Sequence, residues 1–572
     1  MRPTLRLATL VAAMSLTPNV HAQTATLALT NGHVVTVDSA KPEAQAIAIA
    51  GDRIIAVGTN AEIRRYITSS TRVIDLQGRL ATPGIIEGHG HFSGLGSAKL
   101  QLDLTKVNNW DEIVTMVRDA AAKAKPGEWI QGRGWHQEKW NKPPVPSVEG
   151  YPVHAALSAA SPNNPVALGH ASGHASFVNA KALEVAGVTK TTANPEGGEI
   201  VRDAQGNATG LLRETAQRLT GPALARAESS RSAADNEARQ RLIVRLAGED
   251  LLSKGITSFH DAGSSFAQID FYKRLADEKA LPVRLYVMVR REPNARMDSL
   301  LPKYKMIGYG NQFLTVRAIK RQIDGALGSH GAWLLEPYAD LPEKSGLTLE
   351  RPEDIAGTAA IAMKYGYQVN THAIGDRANR EVLDIYERAF KSDPSKRDLR
   401  WRIEHAQHIH PADLPRFKQL GVIAAMQGIH TVSDAPWIPA KLGPDRTKKE
   451  SYLFRSLWDL GVIIGNGTDV PVEDADPVPS FAGAVSRIAR DGSVFLPEQR
   501  LTRAEALKTY TLNNAYAAFQ EKELGSITVG KLADISVFTR DIMTIPEREI
   551  PTAKAAYTIV AGKVVYERTI IP

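Results

Sequence analysis

The 572-residue chain contains no cysteine. That excludes disulfides, a thiolate nucleophile, thiolate metal ligands and a lipidated cysteine anchor. Long apolar runs are also missing. The N-terminal run Leu7 to Leu16 is shorter than the roughly 20 residues that span a bilayer as a helix, and no later segment reaches that length without charges. No membrane anchor is therefore expected. Neither sign of charge dominates: 69 Lys and Arg stand against 62 Asp and Glu, a formal +7. No basic block is interleaved with aromatics, so nucleic acid is not an expected partner. There is no Gly-x-Ser-x-Gly elbow, no Walker loop and no His-Glu-x-x-His.

What is present describes an exported globular protein. Arg2 and Arg6 precede the apolar run, and Val20-His21-Ala22 places small or permissive residues where a signal peptidase cuts. Residues 1–22 read as a secretory signal peptide, giving a secreted or periplasmic protein. The 43% hydrophobic and 23% charged content suits a large folded chain with a sizeable core.

Both ends of the mature chain are β-rich. "ALTNGHVVTVD", "AQAIAIAGDRIIAVG" and "TRVIDLQGRLATPG" are β-branched runs split by Asn-Gly, Gly-Asp and Gln-Gly. "LGSITVGKLADISVFT" and "AAYTIVAGKVVYE" repeat the style near the C-terminus. One small β domain built from 23–83 and 522–572 is expected. Between them, over 84–521, strands alternate with helices. "TPGIIEGHGH", "GITSFHDAG", "LPVRLYVMV", "LTVRAIKRQIDG", "YQVNTHAIGD", "RWRIEHAQ", "GVIAAMQGIH" and "GVIIGNGTD" make eight units. That is the count of a (β/α)8, TIM-like barrel, here with an insertion at about 95–245 after strand 1.

In such a barrel the C-terminal strand ends converge on one mouth. Those ends carry His89, His91, Lys320, His372, His405 and Asp469. His89 and His91 alternate with Gly90, so both point to one side of the strand and can share a metal. His372 and His405 can hold a second. Composition alone yields roughly 0.4 His-x-His pairs, and His408 and His410 form another, so the pair gains meaning only from the other strand ends. Imidazole and carboxylate donors suit one or two zinc or related divalent ions.

These segments, with "GHASFVNAKAL", "GGEIVRDAQGNATGLL", "NTHAIGDRANR", "GTDVPVEDADP" and "GSITVGKLADISVF", resemble the amidohydrolase superfamily over nearly the whole mature chain. Within it they are similar to amidohydrolase family 3, the group of N-substituted formamide deformylase. The resemblance implies a metal-dependent barrel, a β-sandwich built from both ends and an insertion covering the site. His89 and His91 then bind the more buried metal and His372 and His405 the more exposed one. Lys320 falls where binuclear members carry a carboxylated, bridging lysine; the alternative is a plain lysine. Asp469 is implied as a metal ligand and the proton shuttle.

Several positions depart from the family pattern. Glu87 stands where Asp is frequent, and its extra methylene is expected to alter the support of the ligands. His136, His330 and Gly428 also differ and are expected in the pocket. His260 and Asp261 read equally as substrate-orienting or structural. His170 and His174 lie in the insertion; His174 and the pair His408/His410 read most simply as loop histidines, with pocket lining as the alternative for His174, and His430 closes strand 7, where it could reach substrate or serve structure. Trp110, Trp129, Trp135 and Trp140 form either an apolar roof over the site or, more simply, a small core of the insertion.

The expected reaction is hydrolysis of an amide or N-substituted formamide of a small-molecule substrate. Ester, lactone or carbamate hydrolysis, deamination and a non-catalytic binding barrel are the alternatives. The oligomeric state, including a homodimer, is left open. N-terminal sequencing of the exported protein is expected to begin at Gln23; retention of Met1 would exclude cleavage.

Overall fold

The structure is a computed structural model describing residues 24–229 and 231–569. The expected signal peptide lies outside the described residues. Eight parallel strands form the barrel of the central sheet, with a short strand Met306–Gly308 added antiparallel to the fourth: β1 Ile85–Gly90, β2 Ile256–Ser264, β3 Arg284–Val289, β4 Leu314–Gln322, β5 Gln368–Ala373, β6 Arg402–His405, β7 Ile423–Met426 and β8 Ile464–Asn466. They pair in chain order. Helices join successive strands, as a parallel sheet requires. Helix Asp376–Ser392, for example, buries Val382, Leu383 and Tyr386 from one face. The barrel expected from the eight strand–helix units is thus the fold observed.

The seam between β8 and β1 closes through a few bonds. Asn514 Nδ2 donates to the carbonyls of Ile86 and Asn466, both at 2.8 Å. Above it, Asp469 N donates to His89 O at 2.8 Å and His91 N to Val470 O at 2.7 Å. The lower barrel interior is polar. Arg402 reaches His260 Nδ1 at 3.1 Å and Ala517 O at 2.6 Å, and Tyr286 donates to Gln368 Oε1 at 2.9 Å. The short helix Leu512–Ala517 covers that end, supplying both Asn514 and the Ala517 carbonyl.

Two further sheets hold the β-rich chain ends. Strands at 27–30, 46–50, 53–58 and 72–75 form one. Strands at 33–35, 43–44, 80–83, 535–538, 555–560 and 563–567 form the other, mixing N- and C-terminal residues. Leu29, Ile47, Val34, Ile535 and Ile559 belong to a core common to both. The Gln-Gly turn carries the chain from the first sheet to the second. Gln77 has φ 53° and Gly78 φ 78°, a pair of left-handed residues that glycine eases.

Between β1 and β2 lies a separate six-stranded sheet with strands at 102–103, 130–135, 166–170, 175–178, 198–202 and 208–214. Trp110 and Trp135 pack on Phe177, with ring centroids 4.7 and 6.2 Å away. Trp140 joins the same core, and Trp129 packs on a neighbouring one. The four tryptophans thus build the interior of the insertion; the roof reading is not what the structure contains.

Arg284, the first residue of β3, joins barrel to β domain. Its Nε and Nη2 meet Asp534 Oδ2 and Oδ1 at 2.7 and 3.0 Å, with both side chains buried. Removing one partner of a buried ion pair strands the other charge. Asp534→Ala is therefore expected to cost about 3–5 kcal/mol of unfolding free energy, read by denaturant titration.

Candidate metal centre

His89 lies near the end of β1, and His91 follows at the N-terminus of helix Phe92–Ala98. Their rings are 5.8 Å apart between centroids. His405 ends β6 with φ 78°, followed by Ala406 at φ 45°. This left-handed turn, uncommon for residues other than glycine, brings the His405 ring to 4.7 Å from His89 and 4.4 Å from His372. Asp469, φ 57°, sits in the loop leaving β8. Glu87 holds that loop: its Oε1 accepts from Thr468 N at 2.6 Å and its Oε2 from the Thr468 hydroxyl at 3.1 Å. The departure at Glu87 therefore supports the loop carrying Asp469, without a bond to the His89 ring.

Asp469 Oδ1 lies 3.3 Å from His91 Nε2 and 3.5 Å from His89 Nε2. Ligand atoms of His89, His405 and Asp469 all fall within 4.8 Å of one another. This compact trio crosses the two histidine pairs expected from strand order. His372 joins through its ring contact with His405, and its Nε2 is 3.4 Å from Asp324 Oδ1. Lys320, on β4, is buried beside them and lines the same cavity.

The donor set fits a divalent cation. His89 Nε2, His372 Nε2 and Asp469 Oδ1 are buried without a hydrogen-bond partner, which polar atoms seldom tolerate. Burial holds His89 and His372 well below the ordinary imidazole range and lowers His91 to about 4 and His405 to about 3. Burial works against ionisation of Asp469, but His91 beside it and the other neighbouring histidines overcome it and keep its pKa low. Burial also pushes Lys320 down to about 8. Neutral imidazoles and an ionised carboxylate are the forms that ligate metals.

Groups behind these donors fix their orientation. Glu404 makes a short contact with His89 Nδ1, and Gln427 Oε1 lies 2.9 Å from His405 Nδ1. Each turns the other ring nitrogen toward the centre. Asp324 accepts backbone bonds from Trp333, Ile374 and Gly375 at 2.9, 3.0 and 2.8 Å. The sequence reading singled out neither Glu404 nor Asp324. The signal for Glu404 was present: in "RWRIEHAQ", Arg402 and Glu404 alternate toward the barrel interior, an unusual place for charge.

The remaining candidates divide. His174 lines the cavity with its ring tilted against His372, centroids 5.1 Å apart, so the loop reading gives way to pocket lining. Glu214 Oε2 fixes its Nδ1 at 2.8 Å. Gly325 and Gly331 crowd that carboxylate: a Cβ at either would approach Glu214 Oε1 to 2.0 or 2.2 Å. His260 lies in the polar interior on Arg402, a structural place. Asp261 borders the cavity while accepting from Phe92 N at 3.1 Å and the Ser264 hydroxyl at 2.6 Å. His408 bonds Ser451 and His410 caps a short turn, both structural. His136 and His430 line a smaller neighbouring compartment, whereas His170 stacks on His136 at 4.4 Å. His330 and Gly428, expected in the pocket, line neither cavity among the described residues. His330 instead contacts Asp340 and Lys441, and Gly428 packs on Ser480.

The larger cavity measures about 580 Å3 and reaches the donor set under residues of the insertion. The smaller, about 50 Å3, shares His372, His405 and Asp469 with it. A parallel eight-stranded barrel with such donors at its C-terminal mouth is the architecture of a metal-dependent hydrolase. Residues 72–566 match the amidohydrolase family, and the chain belongs to it. Protein LONG AFTER FAR-RED 3 of Arabidopsis thaliana is 35% identical over 554 residues, covering 95% of this chain and 92% of its own length. N-substituted formamide deformylase of Arthrobacter pascens is 28% identical over 549 residues, covering 95% and 98%. The solved structure of an uncharacterized metal-dependent hydrolase from Pyrococcus furiosus aligns with TM-score 0.68 at 26% identity, over 91% of this chain and 100% of that one. The protein is accordingly a metal-dependent hydrolase acting on C–N or related bonds.

Glu404→Gln replaces the charged partner of His89 with a neutral one. It is expected to weaken divalent-metal affinity roughly 10- to 100-fold, read by competition with a chromogenic chelator.

Proposed function

We propose that the protein is an exported amidohydrolase that cleaves the C–N bond of N-substituted amides, with N-substituted formamides as the preferred class. The observation that carries this reading is the group of His89, His405 and Asp469, whose ligand atoms lie within 4.8 Å of one another, with the His372 ring beside His405, all lining one polar cavity. The similarity to N-substituted formamide deformylase points to the bond. The compartment beside the donor set, about 50 Å3, is far smaller than the main cavity of about 580 Å3 and suits a small acyl group such as formyl.

His89, His91, His372, His405 and Asp469 would hold one or two ions, with zinc the natural choice for these donors. Lys320, carboxylated on its buried amine, would complete a binuclear set. A bound divalent ion supplies a water acidic enough to react near neutral pH and polarises a carbonyl oxygen.

The chain's own groups do the rest. Asp469 accepts the proton of the attacking water and delivers it to the amide nitrogen, because an amine leaves poorly until protonated. The backbone bonds from Asp469 N to His89 O and from Thr468 N to Glu87 hold that carboxylate at one place through both transfers. Burial works against protonation of His174, but the Glu214 carboxylate beside Nδ1 overcomes it and raises the pKa; the protonated ring can then donate from its other nitrogen to the carbonyl oxygen. The inserted sheet contributes Arg133, Gly169 and Glu214 to the lining of the cavity over this centre.

Elemental analysis of the mature chain, purified with bicarbonate and without chelator, is expected to give about two divalent ions. One ion would reassign Lys320 to substrate or structure, and none after reconstitution would overturn the reading. Asp469→Asn is expected to lose turnover by at least ~100-fold while retaining much of its metal. A panel of matched formamides, larger amides and esters then tests the bond preference.

A further inference from the structure

Four arginines line the larger cavity, and hydrolysis of a neutral amide gives none of them a task. Arg133 comes from the inserted sheet and Arg218 from the turn Thr215–Thr220; Arg290 and Arg291 directly follow β3. Arg218 and Arg291 are exposed, whereas Arg133 and Arg290 are half-buried. The cavity therefore passes from an outer cationic pair to an inner one.

Neutral groups hold the inner pair in place. Arg133 donates from Nη2 to Ala171 O at 3.0 Å and from Nε to Pro471 O at 3.4 Å. Arg290 donates from Nη2 to Gln322 Oε1 at 2.7 Å. Among the described residues, no carboxylate forms an ion pair with any of the four. Asp469 bears on Arg133 and Arg290 through its charge, as Asp261 and Glu350 do on Arg290, but without an ion pair, and the other acids have partners elsewhere. Asp261 accepts from Phe92 and Ser264, Glu214 from His174, and Glu350 lies 3.2 Å from Arg321 Nε. Burial lowers Arg290 to about 10, and the neighbouring charge of Arg291 adds to the strain on its cation.

The inner guanidiniums are also positioned. Gly263, φ +129°, lies so close to Arg290 that a Cβ there would sit 2.4 Å from the arginine Cβ. The arginine stem occupies the space a side chain would take. Arg133 lies in ordinary contact distance of Gly169 and Gly173, its Cγ and Nη2 at 3.7 and 3.6 Å from their Cβ positions. Pre-placed guanidiniums with unused donors suit the oxygens of a carboxylate or phosphate, which they bind in paired, charge-assisted hydrogen bonds.

We propose that the larger cavity is a subsite for an anionic arm of the substrate, a carboxylate or phosphate carried on the amine side of the scissile bond. Arg133 and Arg290 hold the anion, and Arg218 and Arg291 draw it in from solvent. The amine side follows from size, since the compartment of about 50 Å3 suits the smaller acyl group and the cavity of about 580 Å3 the longer amine arm. The position of the scissile bond rests on the hydrolase reading above; the anion site itself does not.

The test compares the metal-loaded full chain on N-formyl-hexylamine, N-formyl-6-aminohexanoate with its shorter homologues, and N-formyl-6-aminohexyl phosphate. At least one anionic substrate is expected to exceed the neutral one in kcat/KM by roughly 10- to 100-fold. That advantage is expected to shrink with added salt. Carboxylate or phosphate preference identifies the anion. Arg290→Ala and Arg133→Ala are expected to bring the anionic-to-neutral ratio close to one. Should either fail to fold, Arg218→Ala, at an exposed position, is expected to flatten the salt dependence. Equal kcat/KM for neutral and anionic members would overturn the inference and leave the hydrolase reading intact. If no member is cleaved, that reading falls for this substrate class. Calorimetry with 6-aminohexanoate and 6-aminohexyl phosphate against hexylamine then decides the subsite. Anion-selective binding lost in Arg290→Ala supports it, and equal or absent binding overturns it.

Discussion

The closure of β8 onto β1 is the constraint on which the rest depends. The bonds Asp469 N to His89 O and His91 N to Val470 O complete the ring of strands. They also place the Asp469 carboxylate against the imidazoles of His89 and His91. Glu87 and Asn514 reinforce the same seam from inside the barrel and from below. A barrel that closed in another register would lose fold and donor set together, because strand side chains change face with each residue of slip.

Around that seam the protein places charge where a core would usually be apolar. Arg402, Glu404, His260 and Gln368 are buried in or beside the barrel interior, each answered by a hydrogen bond or a charged neighbour. Such groups are costly unless paired, and their pairing is directional. The result is an interior that orients the rings above it. Glu404 and Gln427 turn His89 and His405, while left-handed backbone at His405 and Asp469 aims both at one point. Local backbone strain of this kind persists where surrounding bonds over-determine it.

The insertion works as the wall of the site. Its tryptophans give the inserted sheet a core of its own, so the sheet can present Arg133, His174 and Glu214 to the barrel mouth from a stable base. The centre then has two kinds of surroundings: a compact metal-binding floor and a roomy, cationic approach. The first suits the bond broken, and the second suits the molecule that carries it.

The barrel and its eight strand ends were legible from sequence because they obey local rules, and His89, His91, Lys320, His372, His405 and Asp469 stand at or just beyond those ends. Strands announce themselves through runs of buried residues, and the barrel mouth gathers whatever stands at their C-terminal ends. The β-rich character of both termini was legible for the same reason. What neighbours in sequence do not record is convergence across the ring. That His89, His405 and Asp469 form the tightest group, that Glu404 backs His89, that Glu87 serves the Asp469 loop and that His174 reaches His372 all depend on contacts spanning tens to hundreds of residues. The tryptophans and the arginines make the same point in opposite ways. Clustered tryptophans turned inward to fill the insertion, while arginines scattered from 133 to 291 met in one cavity. Sequence determined which chemical groups stand at the ends of which strands; ring closure and the turns of the inserted sheet decided which of them face one another.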